Sequence, residues 1–182
     1  MKITPTGFKD LFVLEPAVFG DERGYFMESF NRKTLLAKGI ELNFVQDNQS
    51  SSKKGVLRGL HFQNPPYAQT KLVRALSGSI LDVVVDIRKN EPTFGEHFSV
   101  ELTADNKKQL LVPKGFAHGF VVLSEQAEVF YKCDEYYNPQ AEGGVSFNDS
   151  DLNIDWKFDK GELTVSQKDL VYPSFKEIEF QF

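Results

Sequence analysis

Alternation of apolar and polar positions runs through most of the chain and predicts strands rather than helices. Residues 6 to 19 alternate and end at Val18-Phe19, which reads as one or two early strands. Gly20-Asp21-Glu22-Arg23-Gly24 has the composition of a turn, and Tyr25 to Phe30 follows as a strand. Asn31 has the chemistry of an N-cap, Arg32 to Lys38 that of a short helix, and Gly39 that of its left-handed stop. Strand character resumes over Phe44 to Ser50; Ser50 to Gly55 reads as a loop, and Val56 to Gln63 as a strand. Asn64-Pro65-Pro66-Tyr67 interrupts the pattern, because prolines cannot donate to a central ladder.

Three hairpins are predicted next. Lys71 to Leu76 and Ser79 to Ile87 flank Ser77-Gly78; Phe98 to Thr103 and Gln109 to Val112 flank Ala104-Asp105-Asn106; Phe116 to Leu123 precedes Glu128 to Cys133. Many strands with short turns and little helix indicate an antiparallel β-sandwich or barrel. After Asp134 the pattern weakens. Pro139 to Gly144 is loop, while Asp149 to Asp155 and Lys168-Asp169-Leu170 read as irregular segments or short helical turns over one end of the barrel. No repeat or linker divides the chain, so residues 1–182 are expected to form one domain.

Composition narrows the function classes. A chain of 182 residues can build a real core, and its net charge of -5 argues against a nucleic-acid protein while leaving room for a local basic pocket. The single Cys133 cannot form an internal disulfide. No apolar run reaches the roughly 18–20 residues of a membrane span, and MKITPTGFKD has no apolar signal core. These features are those of a soluble cytoplasmic protein.

The candidate chemistry starts in Val56 to Gln63, an apolar strand that carries Arg58 and His61. Histidine titrates nearest neutrality and is the natural general base, although a lone histidine in such a strand is commonly a core residue. Arg58 and His61 have opposite parity. Both face one pocket only if the strand is irregular, and Gly59 is where a bulge is tolerated; otherwise one of the two lies outside the site. Gln46 with Asn48, Lys71 with Val73, His118 with Phe120, and Tyr131 with Cys133 share faces on other strands. Each has an ordinary alternative: Lys71 as an edge residue, His118 as a turn-stabilising one, Tyr131 as a half-buried phenol. An interior lined by Gln46, Asn48, Arg58, His61, Lys71, His118 and Tyr131 together is too polar for a plain core and points to a site.

Pro113-Lys114-Gly115-Phe116-Ala117-His118-Gly119 resembles the second cupin motif. The metal-binding first motif is incomplete, because Phe62 and Gln63 follow His61 and His97 belongs to a surface strand. No metal or other cofactor is therefore expected. The fuller resemblance is to the metal-free cupin family of dTDP-4-dehydrorhamnose 3,5-epimerases. It is carried by FGDERGYFMESFN (Phe19 to Asn31), FVQDNQS (Phe44 to Ser50), GVLRGLHFQ (Gly55 to Gln63), KLVRALSGSILDVVVDIR (Lys71 to Arg88), PTFGEH (Pro92 to His97), ELTADNKKQLLVPKGFAHGFVVLSE (Glu101 to Glu125), YKCDEYY (Tyr131 to Tyr137) and Ser166-Gln167-Lys168-Asp169.

The resemblance implies a cupin-type antiparallel β-sandwich or jelly-roll barrel with a few short helices. It implies an isomerase acting on a dTDP-linked 4-keto-6-deoxyhexose, in dTDP-rhamnose biosynthesis for cell-envelope polysaccharide. On that reading His61 is the base, Asp169 its carboxylate partner, Tyr131 the acid on the opposite face and Lys71 the cation at the C4 oxygen. Gln46, Asn48, Arg58 and His118 match positions that hold sugar and phosphates. Arg23, Phe26 and Glu28 match nucleotide-contacting positions, and Tyr137, Glu142 and Lys168 are carried over from looser motifs. The family forms homodimers by exchanging N-terminal strands, so Arg23 and its neighbours are expected to serve the partner's site. No nucleic acid or membrane is implied as a partner. Within the superfamily, a single-carbon epimerase, a metal-dependent cupin and a non-catalytic sugar-nucleotide binder are the competing readings.

Overall fold

The computed structural model describes residues 1–182. Its strands are β1 (Lys2–Pro5), β2 (Phe12–Glu15), β3 (Val18–Asp21), β4 (Gly24–Met27), β5 (Gln46–Lys53), β6 (Val56–Gln63), β7 (Lys71–Ser77), β8 (Ser79–Asp86), β9 (His97–Thr103), β10 (Gln109–Val112), β11 (Phe116–Val122), β12 (Gln126–Cys133), β13 (Glu142–Gly144) and β14 (Thr164–Val165). One helix, α1 (Arg32–Leu36), precedes β5, and 3-10 turns occupy Lys160–Glu162, Asp169–Val171 and Phe175–Glu177.

The strands make two facing sheets. One has the order β1-β2-β10-β7-β12-β5 and the other β13-β6-β11-β8-β9, with β14 joined in parallel to β6. β3 and β4 form a separate two-stranded ribbon. Val73, Leu110, Val112 and Val129 of the first sheet pack on Ile80, Val84, Phe120 and Val122 of the second. The second sheet's outer face, with Leu57, Leu60, Leu81, Val83 and Val85, is covered by Phe147, Trp156, Phe175 and Phe180 of the C-terminal segment. That double covering explains why β8 is apolar at both parities. Leu35 of α1 and Leu42 cover Leu14, Leu72 and Leu111 on the first sheet's outer face.

The sandwich is not filled evenly. Apolar side chains occupy the side bounded by β2, β10 and β9. Toward β5 and β6 the inward residues become polar, and this side holds the candidate site.

The fold class is the expected antiparallel sandwich, but the three hairpins are not hairpins. β7 and β8, β9 and β10, and β11 and β12 each divide between the two sheets, so each short turn is a corner. Turn chemistry fixes a chain reversal; which strand becomes the partner is set by burying both apolar faces. At Ser77-Gly78 the corner is tight: Gly78 has φ +68°, and a Cβ there would lie 2.1 Å from the Gln126 carbonyl oxygen. The strand expected over Tyr25 to Phe30 ends at Met27, and the Glu28 carboxylate accepts instead from Asn31 Nδ2 at 3.0 Å. β1 falls in a stretch the sequence pattern left unassigned. β5 starts later and runs through Ser50 to Lys53, because its small polar residues alternate between the interior and solvent although they read as loop. Asn31 does cap α1, accepting from the backbone of Lys33 and Thr34 at 2.9 and 3.2 Å, and Gly39 is left-handed at φ +80°. α1 ends at Leu36, short of Lys38.

Candidate active site

The site begins with an irregularity in β6. His118 of β11 pairs with His61, and Phe120 pairs with Arg58, so three steps along β6 oppose two along β11. Gly59 takes up the difference at φ +134° and packs directly on Gly119: a Cβ on Gly59 would lie 2.4 Å from the Gly119 Cα. Leu57 and Leu60 consequently both face the outer cluster. Arg58 and His61 then both face inward, as the sequence required if both belong to one pocket.

His61 is held from outside its own sheet. The 3-10 turn Asp169–Val171 places the Asp169 carboxylate 2.7 Å from His61 Nε2. A carboxylate only accepts, so this imidazole nitrogen donates and the other is free for chemistry. The second Asp169 oxygen accepts from the Gly59 backbone N–H at 3.1 Å, and the Asp169 N–H donates to Ser166 Oγ at 3.1 Å. Burial opposes ionisation of Asp169, but the hydrogen bond and charge of His61, with the Gly59 and Ser166 contacts, outweigh it and lower its pKa. The aspartate side chain is 4% exposed and the histidine 29%, so the pair is anchored inside and open on the pocket side.

The opposite sheet supplies a lysine and a phenol. Lys71 of β7 and Tyr131 of β12 point into the sandwich, with the ammonium 5.9 Å from the phenol ring centroid. Burial lowers the Lys71 pKa, partly offset by Cys133, Asp82 and Glu142. Burial raises that of Tyr131, and Cys133 adds to the effect while Arg58 opposes it. Cys133 is itself buried, with its thiol pushed up to about 11 by burial, and takes a 3.6 Å contact from Asn48 Nδ2.

Three groups complete the walls. Gln46 donates to Asn48 Oδ1 at 3.0 Å and accepts from the Tyr137 N–H at 3.0 Å. Tyr137 Oη donates to Glu142 at 2.8 Å, and the same carboxylate oxygen pairs with Lys168 at 2.5 Å. Arg58 donates through Nε to Ser52 Oγ at 3.1 Å, leaving the rest of its fork for a ligand. His118 makes a second His–Asp pair, its Nε2 lying 3.0 Å from both oxygens of Asp82. Both interior histidines thus hold a carboxylate through Nε2.

Of the sequence-derived candidates, His61, Asp169, Lys71, Tyr131, Gln46, Asn48, Arg58, His118, Tyr137, Glu142 and Lys168 gather around this interior. Arg23, Phe26 and Glu28 do not join them within the chain. Arg23 and Phe26 sit on the β3–β4 ribbon, where Arg23 forks onto Asp21 and Phe19 and Phe26 are 66% and 71% exposed, and Glu28 follows its end. Asp82 was missed by sequence reasoning, although a lone carboxylate inside the apolar run Ile80 to Val85 is a signal that a buried partner exists. Gln63 was also passed over; it donates to the Tyr67 and Tyr136 carbonyls at 2.6 and 3.2 Å and accepts from Asn138 N at 2.7 Å, clamping the pocket's rim.

Comparison with known proteins extends this likeness over the whole chain. A family model described as dTDP-4-dehydrorhamnose 3,5-epimerase matches residues 5–177. A dTDP-4-dehydrorhamnose 3,5-epimerase of Shigella flexneri is 50% identical over 181 residues, covering 99% of each chain. The crystal structure of a dTDP-4-dehydrorhamnose 3,5-epimerase from Elizabethkingia anophelis NUHP1 superposes with a TM-score of 0.93 at 53% identity, over 97% of each chain. A dTDP-6-deoxy-D-glucose-3,5-epimerase of Legionella pneumophila Philadelphia 1, solved in complex with dTDP-4-keto-L-rhamnose, gives a TM-score of 0.93 at 46% identity, over 98% of this chain and 94% of that one.

Proposed function

This chain belongs to the dTDP-4-dehydrorhamnose 3,5-epimerase family, and we propose that His61, Asp169, Tyr131 and Lys71 carry its reaction. The enzyme is an isomerase that epimerises C3 and C5 of dTDP-4-dehydro-6-deoxyglucose to dTDP-4-dehydrorhamnose, in dTDP-rhamnose biosynthesis.

Both reacting carbons flank the C4 ketone, so loss of either proton gives an enolate. His61 takes the proton from one face, and Asp169 holds the ring and balances the imidazolium that results. Lys71 faces the C4 oxygen and opposes its developing charge. The Tyr131 phenol gives a proton to the other face and inverts the centre. His61 then loses its proton to solvent and Tyr131 regains one. What supports these roles is one arrangement: a buried-carboxylate histidine on one sheet opposite a lysine and a protonated phenol on the other.

Arg58, Gln46, Asn48 and His118 bind sugar and phosphates in this reading, with Tyr137, Glu142 and Lys168 at the mouth. The chain acts as one catalytic domain and as a homodimer with exchanged N-terminal strands; Arg23, Phe26 and Glu28 contact the nucleotide in the partner's site. The exposed aromatic ribbon, separate from its own pocket, supports that exchange. The buried, unpaired thiol of Cys133 suits a cytoplasmic enzyme.

Incubation with the 4-keto-6-deoxyglucose nucleotide in D₂O tests the reading. Deuterium is expected at both C3 and C5 of the product. Incorporation at one carbon alone would leave a single-centre epimerase.

A further inference from the structure

The turn that carries Asp169 delivers a second group to the same imidazole. Tyr172, the residue that closes this 3-10 turn, sets its ring 5.7 Å from that of His61 at an interplanar angle of 65°. This edge-to-face placement is a favoured one for aromatic pairs. The ring also occupies the space above Gly144, which is the β13 residue in register with His61. A Cβ on Gly144 would lie 2.4 Å from Tyr172 Cε2 and 2.5 Å from Cδ2 and Cζ. The strand next to β6 thus leaves out a side chain where the tyrosine ring lies.

We propose that Tyr172 is a positioning residue for the base: its ring confines the His61 imidazole to the orientation that keeps one nitrogen on Asp169 and presents the other to substrate. Without the ring, the Gly144 side of the imidazole would be empty, because a glycine offers nothing to pack against. The histidine is partly exposed and Asp169 holds it through a single nitrogen. One hydrogen bond fixes a point of the ring, and the packed aromatic wall fixes its plane. The tyrosine hydroxyl is not part of the device. It is buried beside Lys168 and makes no hydrogen bond to His61 or Asp169, so replacing it by hydrogen leaves the ring wall and the imidazole's carboxylate contact in place.

The proposal rests on His61 being the base, and the test separates the two. Tyr172→Phe, Tyr172→Leu and Tyr172→Ala are compared with His61→Ala in steady-state epimerisation. Tyr172→Phe is expected to match the parent in kcat and KM. Tyr172→Leu and Tyr172→Ala are expected to lose about 10- to 100-fold in kcat, the scale of a misplaced catalytic group, with KM within about 3-fold. The downfield N–H proton resonance of His61, identified by its absence in His61→Ala, should persist in Tyr172→Phe and broaden in Tyr172→Leu through faster exchange with water. Leucine keeps an apolar side chain in the space, so this arm reads the flat ring and not the fold. Wild-type kcat in Tyr172→Leu and Tyr172→Ala, with His61→Ala inactive, would overturn the proposal and leave the base intact. Equal losses in Tyr172→Phe and Tyr172→Ala would overturn it by moving the effect to the hydroxyl. An active His61→Ala would overturn the base assignment itself.

Discussion

His61 Nε2 and Asp169 Oδ1 lie 2.7 Å apart across a sequence separation of 108 residues. The carboxylate also accepts the Gly59 N–H, two residues before the histidine. One side chain therefore ties the His61 imidazole and the bulge that turns it inward. The proposed base and the strand irregularity that aims it form one unit, closed by a segment from the C-terminal part of the chain.

Removing either member of the pair should act on turnover. His61→Ala is expected to lose at least about 10³-fold in kcat while retaining its circular dichroism spectrum and melting behaviour, because the base acts on the transition state. Asp169→Asn keeps the shape but loses the charge that stabilises imidazolium, so a loss of at least about 10²-fold is expected. Near-parental rates in His61→Ala would remove it from the base role.

The alkaline limb of the pH profile should belong to Lys71. Burial lowers the pKa of this ammonium and raises that of the Tyr131 phenol, so both shifts favour the lysine as the first of the two to titrate. The kcat profile is expected to fall on a group titrating below the ordinary lysine value of about 10.4. In Lys71→Arg the cation persists, and whatever activity remains should lose that limb. A limb of unchanged position in the arginine variant would assign it to another group.

Much of the site was legible because interior polarity is costly and therefore conspicuous. Gln46, Asn48, Lys71 and Tyr131 share interior faces as strict alternation requires, and Gly59 was the one residue able to reconcile Arg58 with His61. Strand partners were less legible. Ser77-Gly78 and Ala104-Asp105-Asn106 specify reversals, but the choice between hairpin and corner depends on which faces are buried at long range. Tyr172 was not legible at all. Its role depends on Gly144 leaving space, and the two residues come from segments without strand periodicity.

Gly59 should tolerate no side chain. A Cβ there meets the Gly119 Cα at 2.4 Å and the His118 carbonyl oxygen at 2.9 Å, and the backbone stands at φ +134°. Gly59→Ala must separate β6 from β11 or distort the bulge, and is expected to cost more than about 2 kcal/mol in denaturant unfolding. Gly161, whose Cβ would meet nothing within 4 Å, is the control, and Gly161→Ala should change stability by less than about 1 kcal/mol.

Away from the pocket, Asp86 should govern stability in acid. Its carboxylate is buried, which favours the neutral form, but Arg88 and Thr93 hydrogen bonds overcome this and lower the pKa. A depressed folded pKa gives stability that is present above the unfolded value of about 3.9 and is lost as pH falls through the folded value. Asp86→Ala leaves the largely buried Arg88 guanidinium with only the Lys9 carbonyl and the Phe116 ring as partners and is expected to cost about 3 kcal/mol at pH 7. The difference from the parent should shrink below pH ~4, as the parent carboxylate takes up its proton. A gap constant across that range would place the stabilisation in packing alone.

Tyr131 should separate proton removal from inversion. Burial first, then the neighbouring Cys133, raise the phenol's pKa above the ordinary value against the opposing charge of Arg58. At neutral pH the group therefore holds its proton, and it lies on the sheet opposite His61, from which delivery would invert the carbon in the proposed mechanism. Tyr131→Phe removes that proton and leaves His61, Asp169 and Lys71 in place. The variant should still form the enolate and return a solvent-derived proton from the His61 side. In D₂O, exchange into recovered substrate is expected to stay within about 10-fold of the parent while epimerised product falls by about 10²-fold or more, the usual scale of a lost general acid. The ratio is read from substrate and product isolated from one reaction by NMR. Equal loss of exchange and epimerisation would mean that Tyr131 serves enolate formation itself, and the returning acid would have to be sought among the other groups facing His61.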